Sequence, residues 1–222
     1  MTGTRTPDAV FFDMDGLLVD TEPLWYEVER SIVTDLGGDW SQADSALLVG
    51  GSLDRTIAHI LSVTGPVAEP SWVEDRLLGG MTERLRAGVP LQPGAKRLIG
   101  ELTDAGVPLA LVTSSQRQHM DAVLAMVGPG TFDATVCAAD VTQVKPHPEP
   151  YLTASARLGV DPAHCVVLED SLNGTLAGEA AGCAVVTVPS IAPVPDGPRR
   201  TVVASLTDVD LRFLGELRAA AG

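Results

Sequence analysis

Short apolar runs recur along the chain, and each stops at a polar residue. They cover residues 9–12, 108–112, 134–137, 165–168 and 184–188. Runs of this length, rich in Val and without polar alternation, predict strands buried on both faces. Between them the hydrophobic period becomes helical. Residues 95–105 place Leu98, Ile99 and Leu102 on one face, and residues 118–127 do the same with Met120, Val123, Leu124 and Val127. Residues 150–158 follow prolines suited to a helix start. Strands alternating with helices predict an α/β fold built on a doubly wound parallel sheet. The proline-rich stretch 189–200 predicts a loop, followed by a short strand near Val202 and a last helix over about 211–219.

One segment breaks the alternation. From residue 21 to residue 90 the pattern is helical throughout, with Leu24, Val28, Ile32 and Val33 on one face and Ile57, Ile60 and Leu61 on another. The expected organisation is a discontinuous core, residues 1–20 and 91–222, carrying a helical insert over 21–90. Residues 88–94, with two glycines and two prolines, read as the return hinge.

Composition narrows the function. The 222 residues are 45% hydrophobic and 20% charged, which excludes a disordered polyelectrolyte. The formal net charge of −14 argues against nucleic acid or an anionic membrane as partner, since both require a basic surface. Cys137, Cys165 and Cys183 are too scattered for a disulfide framework or a zinc site and read as buried thiols. No long apolar segment is present at the N-terminus, and charge-free stretches are broken by Pro and Gly. The expectation is a cytoplasmic monomer or weak dimer.

In open parallel sheets ligands bind beyond the carboxyl ends of the strands, so the residues that follow each run belong together. After the first run come Asp13 and Asp15, after the second Thr113, Ser114 and Ser115, after the third Lys145, and after the fourth Glu169 and Asp170. Several carboxylates in one place repel one another, and a divalent cation relieves that; ligands that are all oxygen suit Mg²⁺. One carboxylate can attack while another moves a proton. Hydroxyls, backbone N–H groups and an ammonium are donors for phosphate oxygens. Lys145 stands out, because the chain has only two lysines against thirteen arginines, and a compact ammonium suits bridging a carboxylate and a phosphate.

The stretches FFDMDGLLVDTE, LVTSS, KPHPEPY and VVLEDSLNG, in that order, resemble the four signature motifs of the haloacid-dehalogenase-like hydrolase superfamily. The resemblance covers nearly the whole chain and implies a Rossmann-like core, with the insert corresponding to the family's helical cap. It implies Mg²⁺-dependent phosphoryl transfer in which Asp13 is the nucleophile and Asp15 the general acid and base. Thr113, Ser114 and Lys145 would hold the phosphate. Asp13, the Asp15 carbonyl and Asp170 would hold the metal, with Glu169 close by or water-linked.

Within that superfamily the chain most resembles the small-cap phosphatases and β-phosphoglucomutases, and its opening resembles bacterial sugar-phosphate and sugar-alcohol-phosphate phosphatases. The expected substrate is a small phosphorylated metabolite. A sugar phosphomutase is the alternative, but Trp25 and Leu53 stand where the resembling mutases carry His and Arg. Glu22, Trp25, Gly51 and Ser52 are the insert's candidates for substrate contact. A signalling receiver domain, which also uses Asp, Lys and Mg²⁺, places its phosphorylated Asp mid-chain and has no use for the insert.

Overall fold

In the computed structural model, which describes residues 6–48, 51–190 and 192–220, the apolar runs become strands. The strand β1 (Ala9–Phe12) is followed by four helices, α1 (Glu22–Asp35), α2 (Gln42–Ala46), α3 (Leu53–Thr64) and α4 (Pro70–Ala87). Then come α5 (Ala95–Asp104), β2 (Leu109–Val112), α6 (Arg117–Val127), β3 (Ala134–Val136) and α7 (Glu149–Leu158). The chain ends with β4 (Cys165–Glu169), α8 (Leu172–Ala180), β5 (Ala184–Thr187), β6 (Arg200–Val202) and α9 (Leu211–Ala220). The sequence of α8, LNGTLAGEA, carries no helical period that delineates it, because apolar and small residues occur on all sides.

The strands form a parallel sheet in the order β3-β2-β1-β4-β5-β6 among the described residues. The order reverses direction at β1, so β1 lies between β2 and β4 at the switch point where such sheets bind ligands. The absence of alternation in the strands has its reason here. Phe11, Val112, Val136 and Val167 pack on one face with Tyr151 and Ala154 of α7 and Ala177 of α8. Val10, Phe12, Leu109, Leu111 and Leu168, one position out of phase, are buried as well. Four strand ends differ from the sequence expectation by one residue: β2 starts after Pro108, β3 stops before Cys137, β4 runs on to Glu169 and β5 stops at Thr187. Pro108 has no N–H for the ladder, although its carbonyl accepts from Val10 (3.0 Å). At the far end of β3, the Cys137 N–H turns to the Asp140 carboxylate (2.9 Å).

The chain divides into two compact units. One comprises Met1–Asp20 and Pro90–Gly222, the other Thr21–Val89. Pro90 groups with the sheet because its carbonyl accepts the Asp20 N–H (3.0 Å), next to the bridge between Val19 and Leu91. The second unit is helical among its described residues, and Val28, Ile32, Val33, Ile60, Val73, Leu77 and Met81 form its buried side. Its one buried carboxylate, Glu29, accepts from the Trp40 indole (3.2 Å) and from the Ser45 hydroxyl. No described helix is long and apolar enough to cross a membrane. All three cysteines are free and buried.

Asp140 ties β3 to two helices. Besides Cys137, it pairs with Arg117 of α6 and Arg157 of α7 (3.1 Å for the latter). Burial pushes its carboxyl up, but the Cys137 N–H and the two guanidinium groups win and hold it at about 2 instead of the usual 3.8. A carboxyl depressed on folding stabilises the native state above its unfolded value and loses that contribution as pH falls through the folded one. Asp140→Asn should therefore cost about 1–2 kcal/mol at neutral pH. It should also flatten the loss of stability between about pH 4 and pH 2, as measured by urea unfolding across that range.

Candidate active site

Parallel pairing puts the carboxyl ends of β2, β1 and β4 on one edge, so the residues that follow them converge. Asp13 follows β1 directly, and its N–H donates to the Leu168 carbonyl (3.0 Å), which extends the ladder by one residue. Thr113 follows β2 in the same way, its N–H on the Val136 carbonyl (2.9 Å). Glu169 ends β4, and Asp170 is next. All four side chains are buried, Glu169 completely.

Lys145, on the loop between β3 and α7, reaches into this edge with a side chain only 5% exposed. Its ammonium donates to Asp13 Oδ1 (2.5 Å), Glu169 Oε1 (2.6 Å) and the Val112 carbonyl (2.9 Å). Those three bonds use all the protons that an ammonium has. Burial lowers the ammonium's proton affinity, but Asp13 and Glu169 outweigh it and hold the lysine above its usual 10.5.

Glu169 is fixed from the other side too. The Tyr151 hydroxyl donates to its Oε1 (2.6 Å), while Asp170 N–H and the Ser171 hydroxyl donate to Oε2 (3.2 Å each). Gly174 completes this niche. A Cβ there would stand 1.8 Å from Glu169 Oε1. The missing side chain thus makes room for a carboxylate.

Charge at this edge is unbalanced. Oxygens of Asp13, Glu169 and Asp170 lie within 4.8 Å of one another, against the single ammonium. Burial first, and then the charges of Glu169 and Asp170, push the Asp13 carboxyl well above its usual range despite Lys145. A second cation relieves this excess, and the donor set is all oxygen, as Mg²⁺ prefers. Glu169 already accepts protein hydrogen bonds at both oxygens, which makes Asp13 and Asp170 the better ligands. Asp170 Oδ2 takes the Ser190 hydroxyl (2.6 Å) and lies where a Cβ on Gly16 would be, 2.1 Å away.

Asp15 sits in a tight loop that turns at Gly16 (φ +83°), where the Gly16 N–H meets the Val19 carbonyl (2.9 Å). Its Oδ2 accepts from the hydroxyls of Ser115 (2.7 Å) and Thr113 (3.1 Å). Ser114 is exposed at the end of β2.

The structure therefore brings together Asp13, Asp15, Thr113, Lys145, Glu169 and Asp170. It gives Ser115, which the sequence placed only in the stretch after the second run, a partner in Asp15, and it adds Tyr151 and Ser190, which the sequence did not single out. Ser190 follows the fifth apolar run, so reading that strand's end along with the other four would have found it. Tyr151 carries no such signal, because an apolar helix face looks the same with or without a buried hydroxyl. The remaining candidates belong to the helical unit. Glu22 and Trp25 are half-buried on α1, and the Ser52 hydroxyl caps α3 by accepting the Arg55 N–H (3.3 Å). Gly51 donates its N–H to the Leu48 carbonyl (2.8 Å).

Residues 10–188 match the family model described as haloacid dehalogenase-like hydrolase. The chain is 35% identical to hexitol phosphatase B of Escherichia coli K12, with 99% of this chain and 98% of that one aligned. It is 34% identical to the plasmid CbbY protein of Cupriavidus necator, over 82% and 78% of the two chains. Among solved structures it is similar to CbbY from Rhodobacter sphaeroides in complex with xylulose 1,5-bisphosphate. The TM-score is 0.79 at 26% identity, over 91% of this chain and 96% of that one.

Gly174→Ala tests the niche around Glu169. In an ordinary helix this change stabilises by about 0.5–1 kcal/mol. Here the new methyl collides with a carboxylate that five protein donors hold in place. We expect destabilisation of about 1–3 kcal/mol, the usual cost of overpacking, read from urea unfolding with an unchanged m-value.

Proposed function

The chain belongs to the haloacid dehalogenase-like hydrolase family, and from that premise we propose a Mg²⁺-dependent phosphatase that hydrolyses a sugar or sugar-alcohol phosphate through an aspartyl-phosphate on Asp13. The observation that carries this reading is the buried Asp13–Lys145–Glu169 arrangement at the switch point of the sheet. The identity to hexitol phosphatase B over nearly the full length supports the substrate class.

In this reading Lys145 fixes Asp13 by Oδ1, which leaves Oδ2 to attack phosphorus as the bond to the sugar oxygen breaks. Asp15 gives the departing oxygen a proton. It then takes one from the water that hydrolyses the aspartyl-phosphate, and the phosphate leaves with Asp13 restored. The Thr113 hydroxyl and the backbone beside Ser114 receive the phosphate oxygens, and the Lys145 ammonium joins them by turning one of its three protons from its protein partner to the phosphate. Asp13, Asp170 and the Asp15 carbonyl would hold Mg²⁺. The bound ion supplies positive charge that offsets the buried carboxylates and the transferring phosphoryl group. Glu169 does not react; it keeps Lys145 in place. Trp25 and Leu53, where mutases of this family have His and Arg, favour water over a sugar hydroxyl as the final acceptor.

Asp13→Asn keeps the shape of the side chain and removes the attacking charge. It should lower phosphate release by at least about 10³-fold with the circular dichroism spectrum unchanged. In ¹⁸O-labelled water the wild type should release labelled phosphate. Conversion of a sugar 1-phosphate to its 6-phosphate without free phosphate would instead establish a mutase.

The metal assignment predicts that a chelator abolishes turnover and that Mg²⁺ restores it. Ca²⁺, which prefers more ligands at longer distances, should inhibit. Full turnover in excess chelator would refute the assignment.

A further inference from the structure

Hydroxyl protons at Asp15 can be counted one by one. Ser115 and Thr113 have one each, and both are directed at Oδ2 (2.7 and 3.1 Å). The orientation of Thr113 is fixed, since its oxygen accepts the Ser115 N–H (2.9 Å), which leaves its proton for Asp15. A hydroxyl with one proton cannot donate to a carboxylate and to a phosphate together. If Thr113 takes a phosphate oxygen, as proposed above, its bond to Asp15 must open, and Ser115 is then the remaining hydroxyl on Oδ2.

Ser115 is built for that task. Its N–H is held by Thr113 and its carbonyl accepts the Ala138 N–H (3.1 Å). Ala138 in turn follows Cys137, whose N–H is pinned by Asp140. The backbone on both sides of the hydroxyl is therefore fixed, and its reach to Asp15 is set by the fold and not by a flexible loop.

We propose that Ser115 is a positioning residue for the acid/base carboxylate. Its hydroxyl holds Oδ2 of Asp15 throughout the cycle while the Thr113 hydroxyl changes partner, so the transferred proton is carried by Oδ1. In the first half-reaction the Oδ1–H bond breaks as the sugar oxygen gains that proton and its bond to phosphorus is lost. In the second, water gives a proton to Oδ1 as its oxygen bonds to phosphorus. This assignment rests on the phosphatase reading.

The test compares a hexitol phosphate, whose alkoxide must be protonated to leave, with 4-nitrophenyl phosphate, whose leaving group needs no proton. Both are assayed with Mg²⁺ for the wild type, Ser115→Ala and Ser115→Thr. A lost hydrogen bond to a charged group is worth roughly 10- to 100-fold. Water must be deprotonated in the second half-reaction whichever ester is used, so the comparison is made on kcat/KM, which reports the first half: we expect Ser115→Ala to lose that much on the hexitol phosphate and less than about 3-fold on the nitrophenyl ester, with KM for the hexitol phosphate little changed. Ser115→Thr, which keeps a hydroxyl, should recover most of the loss. Ser115→Cys, with a weak donor of similar size, serves in the same comparison if the alanine variant does not fold. Equal losses of kcat/KM on the two substrates, no loss on either, or a loss confined to KM would overturn the proposal and leave the phosphatase reading standing. A wild type that releases phosphate from neither substrate would remove both.

Discussion

The ammonium of Lys145 is the constraint on which the edge of the sheet depends. It is nearly excluded from solvent, and all its protons are committed to Asp13, Glu169 and the end of β2. An unpaired buried charge is costly, and so is a buried carboxylate without a counter-ion, so each group makes the others tolerable. Removing the lysine would leave two buried carboxylates facing each other. The same contacts fix the direction from which Asp13 can react, so the interaction that allows burial also sets the geometry of attack in the proposed reaction.

Around that ion pair, two glycines act by what they lack. Gly16 leaves the volume that Asp170 fills, and Gly174 leaves the volume that Glu169 fills. Carboxylates brought this close by neighbouring strands cannot also have bulky residues on the adjoining loop and helix. The packing thus forces the acidic groups together more tightly than their repulsion would otherwise permit, and the raised Asp13 carboxyl is the electrostatic consequence. A divalent cation is the natural complement of such an arrangement.

Hydroxyl side chains around the carboxylates divide into those that hold position and those available to a substrate. Tyr151 holds Glu169, Ser190 holds Asp170, and Ser115 holds Asp15. Thr113 stands between the two groups, because its proton is on Asp15 here and is wanted by phosphate in the proposed reaction. A hydroxyl serves this purpose well, since rotation about one bond redirects its proton without moving the backbone.

The sequence by itself determined the strands, the helical insert and the acidic, hydroxyl and ammonium residues at the strand ends. These are local properties: a doubly buried strand must be apolar, a helix must repeat near every fourth residue, and polar residues of a parallel sheet collect where its strands stop. It could also single out Lys145, by its rarity. It could not delineate α8, because a helix of small residues packed closely on the sheet has no polar face to impose a period. Nor could it assign Tyr151, Ser115 and Ser190 to their carboxylates. Each of those bonds joins residues between 18 and 100 positions apart in the chain, and its existence depends on strand order and side-chain packing. Only the tertiary structure decided that Gly174 clears space for Glu169 and that Glu169 spends its lone pairs on Tyr151, Lys145 and the turn after β4. The reason is that a carboxylate looks the same in a sequence whether its oxygens face a metal, a lysine or water. Which one they face is fixed by the groups that the fold brings within three ångströms.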